Sequence, residues 1–239
     1  MNDPLEELFK TSDDPIKWPD LYYLKEETEL GFYALKKLSE NQENALSGMK
    51  QDLEVRLSED LMYQSLKTDE EREGYAYHIL GGLEDLIFEL AEQQRYSMCQ
   101  SVFSFFEGRL RTLCEYIVEA TSLKAPKKKP GQDDLSTFHD FLADGFKADL
   151  SQTLILIDSI KSNKRVRNAI AHKEGWTTDE NLVRDAGQPN GLLLSLRGSK
   201  FKILVRDSKY TDFLLSKMQD YFALLFPAVG RRAQDLRIT

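Results

Sequence analysis

Between Asp20 and Ala125 the sequence contains no proline, and this stretch limits the possible fold more than any other feature of the chain. Apolar residues recur there at intervals of three and four, which is the periodicity of one face of an α-helix. A proline inside a helix removes a hydrogen bond and clashes with the preceding turn, so helices can run here without interruption. The stretch predicts a mostly α-helical protein.

The first part of this stretch carries a heptad seam in which apolar residues are diluted by Thr, Gly and Gln. Its members are Leu21, Leu24, Thr28, Gly31, Leu35, Leu38, Gln42, Ala45 and Met49. The apolar stripe then shifts to Leu46, Leu53, Leu57 and Leu61, so we expect the helix to repack or break near Ser47-Gly48. The seam is compatible with a coiled coil and with a helix that packs against its own domain.

A second helix is predicted to begin at Thr68-Asp69-Glu70-Glu71, which has the form of a capping box. Gly81-Gly82 weakens its middle by roughly 1 kcal/mol per glycine relative to alanine. The most apolar helix follows at residues 95–117, where Glu107 lies at the edge of the apolar stripe. A carboxylate in that position is usually paired or half exposed, because burying it alone is costly. The stripe has the spacing of a buried core helix and consists of Val102, Phe103, Phe106, Leu110, Leu113 and Ile117.

Residues 124–134 are the clearest loop, with two prolines, a glycine and three consecutive lysines. The lysines are compatible with a solvated linker and with non-specific contacts to a phosphate backbone. A short helix is predicted at residues 135–146, followed by a buried apolar run at residues 154–157. Ser162-Asn163 is a candidate cap for a new helix, and Gly175 is placed to end that helix.

The last part of the chain combines a hairpin and a helix. Residues 192–196 and 201–205 flank Arg197-Gly198-Ser199-Lys200, which predicts a β-hairpin. Ser208 is then predicted to cap a final helix that stops at Pro227. The apolar side of this helix holds Tyr210, Phe213, Leu214, Met218, Tyr221, Phe222 and Leu225.

Charge is distributed unevenly along the chain, whose net charge is -8. Residues 1–100 carry 23 acidic against 10 basic side chains, and the rest of the chain carries 17 against 22. A solvated acidic surface on long helices explains the acidic excess. An acidic half that repels RNA from the wrong face or docks a basic partner explains it as well.

The composition predicts a soluble cytoplasmic protein. The longest apolar runs fall short of the roughly 20 residues that span a bilayer, and residues 1–7 are acidic and lack the apolar core of a signal peptide. Cys99 and Cys114 are expected on one helix about 22 Å apart, too far for a disulfide. The sequence has no metal-binding motif and no glycine-rich phosphate loop, and His78 and His139 are expected to be structural.

The most distinctive motif lies at residues 164–175, where five cationic or titratable side chains fall between Lys164 and Lys173. In a helix, Arg165, Asn168 and His172 share one face. Arg167, however, lies about 140° around the helix from His172. One straight helix therefore cannot easily aim both side chains at one phosphate, whereas two helices related by a two-fold axis can.

An arginine and a histidine are suited to RNA cleavage, in which the 2′-hydroxyl attacks the adjacent phosphate. A histidine side chain has an ordinary pKa near 6.5, so it can take or give a proton. An arginine stays cationic and grips two phosphate oxygens at once. The plain structural alternative is a basic helix end that is favoured by the helix dipole.

Arg167-x4-His172, with Asn168 directly after the arginine, resembles the RNase motif of the HEPN family (higher eukaryotes and prokaryotes nucleotide-binding domain). In many HEPN proteins the preceding helix has a Glu, a Leu three positions later and then a Cys. The helix at residues 95–117 is similar, with Glu107, Leu110 and Cys114 in these places.

The hairpin and final helix after the Arg/His segment also look like several HEPN subfamilies, so the resemblance covers roughly residues 70–226. It implies an HEPN-like helical bundle at residues 70–239, with a small β-hairpin before the C-terminal helix. Residues 1–69 lie outside the resemblance and are expected to form a long helical N-terminal extension.

The resemblance implies a metal-independent endoribonuclease without a cofactor, which cleaves single-stranded RNA at a composite site in a homodimer and leaves a 2′,3′-cyclic phosphate. The implied catalytic residues are Arg167, His172 and Asn168, and the candidate substrate-binding residues are Arg165, Lys164, Lys173 and Glu107. A toxin or antiphage role is implied, and an antitoxin or regulatory protein is a candidate partner for the acidic N-terminal half.

Two observations qualify this interpretation. HEPN toxins that are modified on a tyrosine shortly after the histidine have no counterpart here, since Lys173-Glu174 follows His172. The acidic first hundred residues favour an alternative, which is a non-catalytic HEPN-like module that binds nucleotide, RNA or a protein partner.

Overall fold

The computed structural model describes residues 18–238. The three prolines of residues 1–19 predict an irregular lead-in, most of which lies outside the described residues. The described chain is mostly helical, as predicted. Its helices are α1 (Pro19–Glu59), α2 (Leu61–Ser65), α3 (Asp69–Ala120), α4 (Asp134–Asp140), α5 (Leu154–Lys173), α6 (Leu182–Asp185) and α7 (Lys209–Asp235). A π-helical turn (Phe141–Gly145) extends α4, and a 3-10 turn (Ser151–Thr153) precedes α5. Within residues 18–238, none of the helices combines the length and apolar character needed to cross a membrane.

A small antiparallel sheet lies between α5 and α7 in the chain. Its strands are β1 (Trp176–Thr177), β2 (Leu192–Arg197) and β3 (Lys200–Val205), with β3 in the middle. β2 and β3 form the predicted hairpin. β1 was not predicted, and its pairing with β3 attaches the end of α5 to the hairpin.

α1 and α3 are antiparallel neighbours that form a long helical hairpin. Glu27 pairs with Arg109 at 2.8 Å, and Glu43 pairs with Arg95 at 2.7 Å. The predicted capping box is present at the start of α3, where the side chains of Thr68 and Glu71 satisfy each other's backbone amides.

The second half of α3 forms the centre of the main hydrophobic core. All six residues of its predicted apolar stripe are buried. α1 contributes Trp18, Leu21, Leu24 and Phe32 to this core, which confirms that α1 packs against its own domain. The proposed division of the chain at residue 69 stays a prediction.

Of the two alternatives predicted for α1 near Ser47-Gly48, the break is wrong, because the helix continues through both residues to Glu59, and the repacking is confirmed. The shift of the apolar stripe marks this repacking. Leu46 packs with Ile87 and Ala91 of α3, so the helix keeps its direction and uses a second, smaller apolar cluster.

The predicted heptad seam of α1 is wrong beyond Leu35, which packs partly buried against the main core. Leu38 and Met49 are exposed, whereas Phe32, Ser39 and Leu46 are buried. The buried stripe moves by one position at Phe32 and then keeps intervals of seven residues through Ser39 and Leu46. Phe32 sets this register, because its ring meets Phe105 at 5.1 Å between centroids and an edge-on angle of 81°.

Two expectations for α5 are corrected. Leu154 and Ile155 are exposed, so the apolar run at residues 154–157 is buried only at Ile157. The helix begins at Leu154 rather than at Ser162-Asn163. Asn163 is instead a buried mid-helix residue. Its side-chain amide donates to the carbonyl oxygens of Ser159 and Ala186 and accepts from the hydroxyl of Tyr210. These three hydrogen bonds offset the cost of burying the amide.

The final helix passes through Pro227 and ends at Asp235, so its predicted stop is wrong. An interior proline costs a helix about 3 kcal/mol. Phe226, Ala228 and Val229 are all buried beside it, and their packing outweighs this cost. Ala223, whose carbonyl loses its partner, is an exposed residue, so water can reach that oxygen.

We predict opposite effects for the same substitution at two glycines of α1. A Cβ atom at Gly31 would overlap the ring of Phe105, whereas a Cβ atom at Gly48 would have no neighbour within 4 Å. Gly31→Ala should therefore lower the free energy of unfolding by about 1–3 kcal/mol. Gly48→Ala should raise it by about 0.5–1 kcal/mol, because alanine is the better helix former. Urea denaturation of both variants measures this, and equal effects would contradict the close α1–α3 contact.

Candidate functional site

The candidate site is built on α5, which carries the Arg/His motif. Buried Ile157, Ile160, Val166 and Ile170 hold one side of this helix against the core. Because α5 is a single unbroken helix, the predicted angular relationship holds: Arg167 and His172 lie about 140° apart around its axis.

Gly175 fixes the end of α5, as predicted. Glu174 and Gly175 have φ angles of 51° and 80°, and the Gly175 amide donates to the Ala169 carbonyl at 3.1 Å, which closes the helix in a Schellman-type turn. A side chain at Gly175 would collide with Tyr96 of α3. The hydroxyl of Tyr96 in turn donates to the Ile203 carbonyl of β3. The helix end, α3 and the sheet are therefore in direct contact.

Lys164 and Glu107, both predicted to bind substrate, are brought together by the fold. The Lys164 ammonium lies 2.5 Å from a Glu107 carboxylate oxygen and 3.4 Å from Asp133. The side chains of Lys164 and Glu107 are only 13% and 17% exposed. The pair therefore links α5 to α3 and to the start of α4, and both charges are already compensated within the chain.

Arg165 is exposed, but its charge is also compensated. Its guanidinium lies 2.6 Å from Asp179 and 3.3 Å from Asp185. The two carboxylates come from the turn after β1 and from the end of α6. Arg165 thus holds that segment against α5, and its predicted role in substrate binding stays a prediction.

Arg167 differs from these two cations. Its one hydrogen bond among the described residues is donated by Nη1 to the Asn168 side-chain oxygen at 3.1 Å. Its Nε is buried and has no hydrogen-bond partner there, and no described carboxylate lies within ion-pair distance. Arg167 therefore retains hydrogen-bonding capacity and a positive charge that the described chain does not neutralise.

His172 and Lys173 are exposed in the last turn of α5, where the helix dipole favours cations. A pocket of about 360 Å³ adjoins this turn. Its lining residues are Lys173, Trp176, Thr177, Thr178 and Lys200. An indole ring in one pocket with two exposed lysine side chains can bind a base by stacking and a phosphate by charge.

Trp176 and Lys200 were not identified from the sequence. Trp176 follows the Arg/His motif directly, and an aromatic residue beside a basic cluster was the signal available. Its orientation depends on Lys202, which lies 5.5 Å from the centre of the indole ring and bonds both Glu92 and the Glu174 carbonyl at 2.8 Å. These partners are distant in sequence, so only the fold reveals the arrangement.

The other titratable groups do not join this site. His139 is buried, bonds the Tyr221 hydroxyl at 2.9 Å, and has a pKa lowered chiefly by burial. His78 is exposed on α3. Burial raises the pKa of the free thiols Cys99 and Cys114 to about 12, so neither is a reactive thiolate. Within residues 18–238, no group of His, Cys, Asp and Glu side chains is arranged to hold a metal ion.

Comparison of the chain with known protein families, with functionally characterised proteins and with solved structures finds no match.

We predict that Lys164 is far more important for stability than Arg165. Lys164→Met leaves the half-buried Glu107 carboxylate without its nearest cation, which should lower the free energy of unfolding by about 1–3 kcal/mol. Arg165→Met removes exposed ion pairs and should change it by less than about 1 kcal/mol. Chemical denaturation measures both variants. The double variant Lys164→Met/Glu107→Met should recover most of the loss, and no recovery would contradict the pairing.

Proposed function

We propose that this protein is a metal-independent endoribonuclease of the HEPN type, which cleaves single-stranded RNA in a cleft between two copies of α5. The observation that carries the proposal is the state of Arg167. Lys164 and Arg165 are paired with carboxylates of the same chain, whereas the Arg167 guanidinium is paired with none within residues 18–238. An arginine kept in this state is suited to stabilise negative charge on a phosphate.

His172 supplies the acid–base chemistry in this proposal. Its side chain is exposed, so it can reach either the 2′-hydroxyl or the leaving 5′-oxygen of a bound RNA. Asn168 accepts a hydrogen bond from Arg167 and thereby orients the guanidinium. His172 makes one of the two proton transfers and solvent water makes the other. The bond from the 2′-oxygen to phosphorus forms as the bond from phosphorus to the 5′-oxygen breaks, which leaves a 2′,3′-cyclic phosphate and a 5′-hydroxyl.

A homodimer follows from the geometry of α5 within the proposal. Since Arg167 and His172 of one chain diverge by about 140°, each active site takes the arginine of one protomer and the histidine of its partner. Trp176, Lys173 and Lys200 bind the flanking nucleotide in their pocket beside His172.

The biological setting is part of the same proposal. A toxin or antiphage role in the cytoplasm requires control, and an antitoxin or regulatory protein bound to the acidic N-terminal half supplies it. The buried free thiols are compatible with a reducing compartment.

RNA cleavage in EDTA tests the proposal. The purified protein should cut single-stranded RNA and leave 2′,3′-cyclic phosphate ends. Arg167→Ala and His172→Ala should each lower the rate by roughly 10²-fold or more, because each removes a group that acts on the reacting phosphate. His78→Ala and Arg231→Ala change an exposed histidine and an exposed arginine of other helices and should leave the rate unchanged.

Mixed dimers test the composite site. When Arg167→Ala and His172→Ala chains are unfolded and refolded together, part of the activity should return, because the mixed dimer contains one intact pair. Activity that never returns in verified mixed dimers would place arginine and histidine in the same protomer. Absence of cleavage by the wild type, with RNA or nucleotide still bound, would favour the non-catalytic module instead.

A further inference from the structure

The far end of the α1–α3 hairpin carries an apolar surface that the fold does not use. We refer to residues 40–94 as the arm. On its α3 side, Ile79, Leu83, Leu86 and Leu90 are 47%, 45%, 49% and 39% exposed. Their spacing of four, three and four is that of the d and a positions of a coiled coil. These four residues are called the seam.

The seam is separate from the contact that holds the arm together. Ile87 and Ala91 face α1 and pack against Leu46. At 100° per residue, the seam is centred about 90° around α3 from that contact. The buried face and the seam are therefore two different stripes of one helix.

α1 adds apolar residues on the same side of the arm. Met49, which is 44% exposed, lies about 60° around α1 from Leu46, and Ala45 lies about 100° from it. Both are displaced from the buried contact in the same rotational sense as the seam is on α3. In an antiparallel helix pair, equal rotations bring side chains to the same side of the pair. The seam and these α1 residues thus flank the furrow that two packed helices leave between them, here called the groove, and together they match one face of a third helix.

The net charge of the arm indicates whether a second copy of the chain or a basic helix fits this groove better. The arm carries 14 Asp and Glu against four Lys and Arg, a net charge of -10. Asp52 and Glu59 border the groove on α1, and Glu89 borders it on α3, while Arg56 offsets only part of this excess. Pairing two copies through this face would bring two arms of charge -10 within a Debye length of each other, which opposes self-association. A basic helix has the complementary charge.

We propose that the arm is a docking site for a basic amphipathic helix of a partner protein, which lays its apolar face in the groove and its cationic residues along the acidic borders. The proposal does not depend on ribonuclease activity, because none of the residues involved belongs to the candidate site on α5.

Synthetic peptides test the proposal with the full chain. The probe is a helical peptide about three heptads long, with Leu at positions a and d and Lys at the remaining positions. A second peptide has the same composition with its Leu residues scattered around the helix, and a third replaces every Lys by Glu. Fluorescence anisotropy at physiological ionic strength should show binding of the first peptide and at least tenfold weaker binding of the other two.

Two variants locate the binding surface. Leu83→Glu/Leu86→Glu should weaken binding of the basic peptide at least tenfold, although it adds negative charge that would strengthen a purely electrostatic association. Phe88→Glu is the matched control, since Phe88 is 62% exposed on the opposite side of α3. It should leave binding within twofold. Circular dichroism of both variants checks that α3 remains helical.

Three results would overturn the proposal. The scattered peptide could bind as well as the amphipathic one, or Phe88→Glu could weaken binding as much as the seam variant. Sedimentation without peptide gives the third: the wild type and the seam variant should have the same mass. A lower mass for the seam variant would assign this face to a second copy of the chain.

Discussion

The packing of the other elements against the second half of α3 determines where the candidate site lies. α7 meets this half through Phe106, whose ring lies 5.2 Å from that of Phe222, and α1 meets it through Phe32 and Phe105. α5 is joined to it by the Lys164–Glu107 pair, and the sheet by the bond from Tyr96 to the Ile203 carbonyl. Because both the middle and the end of α5 are attached, the directions in which its side chains point are set by contacts elsewhere in the fold.

The basic cluster of the sequence is not a uniform basic surface in the fold. A cation paired with a carboxylate of the same chain projects little field into solvent, and Lys164 and Arg165 are both paired. Among the other cations of the motif, Arg167 and Lys173 have no carboxylate partner within residues 18–238, and Lys200 of β3 lines the same pocket as Lys173. Pairing inside the chain therefore leaves two of the motif's four lysine and arginine side chains without an ion pair among the described residues.

Local signals in the sequence predicted the features that depend on local physics. The capping box at Thr68, the end of α5 at Gly175, the hairpin and the core stripe of α3 each follow from neighbouring residues. The wrong predictions concern features that depend on contacts with residues far away along the chain. The contact between Phe32 and Phe105 shifts the buried stripe of α1 by one position. The packing of buried neighbours keeps α7 helical beyond Pro227. The motif residues of α5 could be named from the sequence. Their ion pairs could not, because Glu107 and Asp185 lie far from Lys164 and Arg165 along the chain. The position of Trp176 could not be predicted either, because it depends on Lys202.

The two halves of α3 differ in the physical basis of their stability. Residues from Tyr96 onward are held by the main core, whereas the arm has one small cluster of Leu46, Ile87 and Ala91 beneath a long exposed surface. A helix supported on one narrow face gains little from packing, and exposed leucines favour association. The acidic side chains of the arm oppose contact between copies, so this surface can stay available without competing with the two-fold contact that we propose for α5. α3 therefore contributes to the main core at one end and presents an uncovered apolar face, bordered by acidic side chains, at the other.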